Sequence, residues 1–117
     1  MGSDKKYNLG FLKSISNTDE NFIKDMILTF KQTTPRIILK MGRYMKNKKY
    51  TALGKEVHRL IPGVSFLGAE NIKDDLVKIE QYVNDNTNLD DIPGLIENVK
   101  RNVTDLITQF NIDFNLS

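Results

Sequence analysis

Apolar residues recur along this chain every three or four positions, and no stretch alternates apolar with polar residues as a half-buried strand would. Phe22, Ile23, Met26, Ile27, Phe30, Ile37, Ile38, Met41 and Met45 keep helical spacing, which predicts a first long helix opening near Asn17-Thr18-Asp19. Continued to about Lys46 it would be roughly 40 Å long, with a kink or loosening near Lys31 to Thr34 because Pro35 cannot donate its amide. Asn47-Lys48-Lys49 is too short a turn for anything but an antiparallel neighbour. That neighbour carries Tyr50, Leu53, Val57, Leu60, Ile61 and Val64, and Gly68 suits the position just past its end. A third helix follows with Ile72, Leu76, Ile79 and Val83, ending in the polar run Asn84-Asp85-Asn86-Thr87-Asn88. The fourth starts around Asp91, with Pro93 in its first turn, and presents Ile92, Leu95, Ile96, Val99, Val103, Leu106, Ile107 and Phe110. Tyr7 to Ile15 can add a short leading helix whose Leu9, Phe11 and Leu12 lid one end of the core. The expected fold is all-α, an antiparallel four-helix bundle over residues 7–111 with a short extra N-terminal helix. A flexible segment 1–6 would precede it and a tail 112–117 would follow.

Composition narrows the class of function. The chain has 117 residues, 39% hydrophobic and 27% charged, which suits one soluble globular domain able to build its own core. No apolar run approaches the ~20 residues needed to span a bilayer, and no signal-peptide pattern opens the chain, so no membrane contact is expected. With no cysteine there are no disulfides and no thiolate metal sites, a composition compatible with the cytoplasm. The net charge is only +2, but Lys40, Arg43, Lys46, Lys48, Lys49, Lys55 and Arg59 precede or flank position 58, while Asp74, Asp75, Glu80, Asp85, Asp90, Asp91 and Glu97 gather later. Neither a strong basic balance nor a base-reading motif points to nucleic acid. The basic cluster is either a solvated face or a docking surface for an acidic protein site.

His58 is the only histidine, so its setting carries most of the candidate chemistry. With Val57 at the centre of the buried face, one step of about 100° puts His58 at the edge of the apolar stripe. Gly54 lies one turn before it, Pro62 one turn after and Ser65 two turns after, so no bulky neighbour on its own helix shields the ring. One imidazole without cysteines is a poor basis for a zinc or copper site, and no serine sits on a recognisable nucleophile elbow. Two readings stay open at this point: a rim histidine without a task, and a nucleophile reached by another macromolecule.

Around His58 the chain resembles a histidine-containing phosphotransfer (HPt) domain of bacterial phosphorelays, over nearly its whole length. The family's aromatic eight residues before the histidine is matched by Tyr50, and its aliphatic residue five before by Leu53. His-x-Leu is matched by His58 and Leu60, and Leu-Gly nine and ten residues later by Leu67 and Gly68. Ile79-Glu80 stands where the family has Leu-Glu, and Phe30 to Pro35 matches an upstream Phe-x-x-x-x-Pro. The chain departs from the pattern at Ile61 and Pro62, where the family commonly has lysine and glycine. The phosphate-neighbouring cation would then come from Lys55, one turn before the histidine. Arg59 is a poorer source because it points about 100° further round. Pro62 cannot donate to the carbonyl of His58, so the helix should bend there or end.

The resemblance implies that His58 takes a phosphoryl group from a receiver-domain phosphoaspartate and passes it to another receiver. The implied partners are response-regulator receivers and a hybrid sensor histidine kinase, with the chain itself a monomer. The docking surface would comprise Gly54, Ile61, Pro62 and Ser65. No cofactor is expected on this chain, since Mg²⁺ would sit on the receiver, and without a nucleotide-binding glycine loop no autonomous kinase activity is expected. The alternative is an HPt-like module that docks a receiver without being phosphorylated. A general-base enzyme is a third reading, and it would need a pocket of convergent polar groups.

Overall fold

Asp19 starts the longest helix by accepting hydrogen bonds from the backbone amides of Asn21 (3.0 Å) and Phe22 (3.3 Å), a cap worth about 1 kcal/mol. In the computed structural model, which describes residues 6–15, 17 and 19–116, five α-helices follow one another: α1 Gly10–Ile15, α2 Glu20–Lys46, α3 Tyr50–Phe66, α4 Glu70–Asp85 and α5 Ile92–Asp113. A single 3₁₀ turn, Leu89–Asp91, leads into α5 and places Pro93 in its first turn, where a missing N–H is harmless. No strand is present among the described residues. The expected segment 1–6 lies outside the described residues except for Lys6.

Each long helix turns its apolar stripe inward. α2 packs on α3 and α5, and α4 packs on the same two, which closes a four-helix ring. Leu53, Val57, Leu60 and Val64 of α3 meet Ile27, Phe30, Ile38 and Met41 of α2, Ile72, Leu76 and Ile79 of α4, and Ile96, Val99, Val103, Leu106 and Phe110 of α5 in one core. The molecule is 41 Å along its longest axis, close to the length of a 27-residue helix at 1.5 Å per residue.

Neither internal proline ends its helix. Pro35 and Pro62 are both exposed, so each sits on the solvent side of its helix, where a long helix tolerates a lost amide donor best. α2 runs through the segment expected to loosen, and α3 runs one turn past Pro62 to Phe66. Gly68 then closes α3 at φ +66°, with the Ala69 amide bonded back to the Val64 carbonyl at 3.0 Å. A side chain there would also collide with the N-terminal segment, since a Cβ on Gly68 would lie 2.2 Å from the Asn8 carbonyl oxygen. The Asn8 amide donates to the Leu67 carbonyl at 3.0 Å, which pins the strap before α1 across the end of α3.

Two boundaries differ from the sequence expectation. α5 continues to Asp113, and Phe114 and Leu116 pack on the core, with Phe114 edge-on to Phe110 at 6.1 Å, so residues up to 116 belong to the bundle. At the other end Leu9 and Leu12 are buried as a lid, but Phe11 is 52% exposed and stacks instead on Phe66 of α3, centroids 5.6 Å apart and planes 4° from parallel. A six-residue helix can bury only one side, and Leu12 occupies it.

Candidate functional site

His58 projects from the middle of α3 beside α4. Its side chain is 75% exposed, because Val57 takes the core position and the ring falls one helical step outside it. Gly54, one turn earlier, lets the two helices approach closely: a Cβ there would sit 3.3 Å from Val83 Cγ1. A shallow groove of about 740 Å³ results, lined by Thr51, Gly54, Lys55, His58, Arg59, Glu80, Val83 and Asn84.

Across that groove Glu80 of α4 reaches the ring, its Oε2 lying 2.7 Å from His58 Nδ1. An ionised carboxylate can only accept, so the proton of this hydrogen bond sits on Nδ1. In the neutral ring that tautomer leaves the lone pair on Nε2, the nitrogen farther from the backbone. The arrangement can therefore present a nucleophile at Nε2 and stabilise the positive charge that appears on the ring when Nε2 forms a bond.

The remaining sequence candidates divide clearly. Lys55 is exposed and lines the groove. Arg59 also lines it, but its Nη1 donates to Glu56 Oε1 at 3.0 Å, so its charge is shared with a carboxylate. Pro62 is exposed, whereas Ser65 and Ile61 are half-buried, and Ile61 packs against the core. Ile61 is thus a smaller part of any open apolar patch than expected, and Pro62, Phe66 and Phe11 supply more of that surface. Lys40, Arg43, Lys46, Lys48 and Lys49 are all exposed.

Glu80 is the residue whose role the chain pattern did not disclose. Its signal was present in the helix register, because His58 and Glu80 lie ten and twelve residues either side of Gly68 and so at nearly the same height in an antiparallel pair. Among the described residues no three His, Cys, Asp or Glu side chains are placed to share a metal ion, and no helix is long and apolar enough to cross a membrane. Comparison with family models, with curated proteins and with solved structures returns no match, so the functional reading rests on the residues themselves.

Proposed function

We propose that this protein is a phosphotransfer domain of a phosphorelay, in which His58 carries the phosphoryl group between receiver domains. The observation that carries this reading is the exposed imidazole whose Nδ1 is held by Glu80 and whose Nε2 is open. In the forward step the Nε2 lone pair forms a bond to the phosphorus of a receiver phosphoaspartate. The P–O bond to the aspartyl carboxyl breaks with its electron pair, regenerating the carboxylate, and the Nδ1 proton stays in the hydrogen bond to Glu80. The same step in reverse delivers the group to a second receiver. Little else is asked of this chain, because phosphoryl transfer depends on positioning and charge neutralisation, which the receiver and its Mg²⁺ would largely supply.

The exposed basic residues around the site fit the acidic rim expected of a receiver and would raise the association rate at low salt. A second reading, a module that docks a receiver without accepting phosphate, is favoured by one observation: with Ile61 in place of a lysine and Arg59 engaged by Glu56, Lys55 is left as the uncommitted cation at the groove among the described residues. Incubation with phosphorylated receiver domains separates the two. Acid-labile, base-stable phosphate on His58, absent in a folded His58→Gln variant, is the result expected. Receiver binding with no phosphate on His58 would replace the phosphotransfer reading with the docking one.

A further inference from the structure

The groove beside His58 is lopsided. Its α3 residues Thr51, Gly54 and Lys55 precede the histidine, and its α4 residues Val83 and Asn84 follow Glu80. Because the two helices are antiparallel, both sets lie on the same side of the ring, towards the start of α3. The side chain of a helical residue leans the same way, over the turn N-terminal to its own Cα. Gly54 offers no side chain to block it. Residues on the other side, Ile61, Pro62 and Ser65, do not line the groove.

The polar groups on that side are uncommitted. Among the described residues the side chains of Thr51, Lys55 and Asn84 have no hydrogen-bond partner or ion pair. Of the exposed helical threonines, Thr33, Thr104 and Thr108 each donate to the carbonyl four residues back, whereas Thr51, like Thr29, does not. Thr51 lies in the first turn of α3, where the residue four back, Asn47, is outside the helix. The groove also opens towards the positive end of the α3 dipole, where Lys49 provides no side-chain cap.

We infer that this groove is the phosphoryl pocket of the site, with Thr51, Lys55 and Asn84 donating to the oxygens of a phosphoryl group on Nε2. The assignment rests on the phosphotransfer reading of His58. It places the anion's donors on the N-terminal side of the histidine, which accommodates Ile61 and Pro62 on the other side. A phosphoryl group offers three acceptor oxygens, and a hydroxyl, an ammonium and an amide can serve one each. Lys55 offsets the carboxylate of Glu80 in the charge the anion meets, while Arg59 is balanced by Glu56.

Phosphoramidate tests the pocket without any receiver. The Nε2 lone pair attacks its phosphorus, the P–N bond breaks, and ammonia leaves with the bonding pair and takes a proton from water. The full chain, isotopically labelled, is compared before and after this treatment by two-dimensional NMR. We expect phosphate on Nε2, movement of the Asn84 side-chain amide and the Thr51 backbone amide, and no comparable movement at Ser65. In the Thr51→Val, Asn84→Leu double variant the phosphohistidine half-life should fall about threefold, roughly the effect of one modest hydrogen bond. It should stay at the parental value in Ser65→Ala. Phosphate on Nδ1, an unmoved Asn84 amide, or a parental half-life in the double variant would each overturn the assignment. If these shifts appear but no phosphorylated receiver delivers phosphate to His58, the pocket stands and the relay reading falls. If a receiver delivers phosphate while Thr51 and Asn84 stay silent, the relay reading stands and the pocket falls.

Discussion

Replacing Glu80 tests how the site works more sharply than replacing the histidine, because it leaves the nucleophile in place. The carboxylate oxygen lies 2.7 Å from Nδ1, so it feels nearly the full charge that arises on the ring as Nε2 bonds to phosphorus. Two unit charges about 4 Å apart interact by ~1 kcal/mol in water and ~4 kcal/mol at an effective dielectric constant of 20. With the imidazole 75% exposed and the carboxyl side chain 26% exposed, the pair lies towards the aqueous limit. We take ~1–2 kcal/mol, which is about five- to thirtyfold in rate. Glu80→Ala should therefore accept phosphate about tenfold more slowly than the parent. Glu80→Gln keeps an amide oxygen to hold the Nδ1 proton but loses the charge, and should fall between the two, about threefold down. Neither change should cost more than about 1 kcal/mol of stability, since an exposed pair contributes little and alanine and glutamine are good helix formers. The assay is single-turnover transfer from a labelled phosphoreceiver, or phosphoramidate labelling, beside urea denaturation of the same samples. A parental rate in Glu80→Ala would refute the role assigned to the carboxylate. Equal losses in the alanine and glutamine variants would refute the part of it that depends on orientation.

Three further outcomes follow from the fold. Gly68→Ala should lower stability by about 2–4 kcal/mol in urea denaturation, because it combines a left-handed φ of +66° with a Cβ 2.2 Å from the Asn8 carbonyl oxygen; a loss below 1 kcal/mol would mean the Asn8 strap moves aside freely. Pro62→Ala should stabilise the bundle by about 1–3 kcal/mol, since an exposed proline inside a helix lacks an amide donor that alanine restores, and destabilisation would show that the proline's shape is needed in α3. Tyr7 is pushed up to about 12 from 10.0 by burial and by its hydrogen bond to Asp113, so the phenol should titrate by ultraviolet absorbance near pH 12, in a step that vanishes in Tyr7→Phe. Because the folded value is the higher one, the stability this tie contributes is fully present below pH 10 and is lost as pH rises from there through 12; a parent and a Tyr7→Phe variant that destabilise identically over that range would contradict it.

What the sequence determined by itself was everything that depends on neighbours along one helix. The spacing of Leu53, Val57, Leu60 and Val64 fixes which side of α3 is buried, and the 100° step from Val57 to His58 follows from the helix alone. Asp19 as a cap and Gly68 as a left-handed terminator are equally local, since each satisfies or relieves groups within a turn of itself. The Arg59–Glu56 pair, three residues apart on one helix surface, was within reach of the same counting.

Only the tertiary structure decided the contacts that cross between helices. Periodicity gives each helix a buried side but leaves open its height and small rotation against its partners, and these are set by how the whole core interlocks. A rotation of a few tens of degrees separates an open Ile61 from one packed on the core, and a Phe11 that lids the bundle from one that lies outside on Phe66. α4 reaches α3 at Glu80 on His58, the segment before α1 reaches α5 at Tyr7 on Asp113, and α2 meets α5 to close the ring. Glu80 shows the difference most plainly. As a letter in the chain it is one acid among fifteen, and its partner 22 positions away is chosen by the packing of α3 on α4, which Gly54 allows to be close.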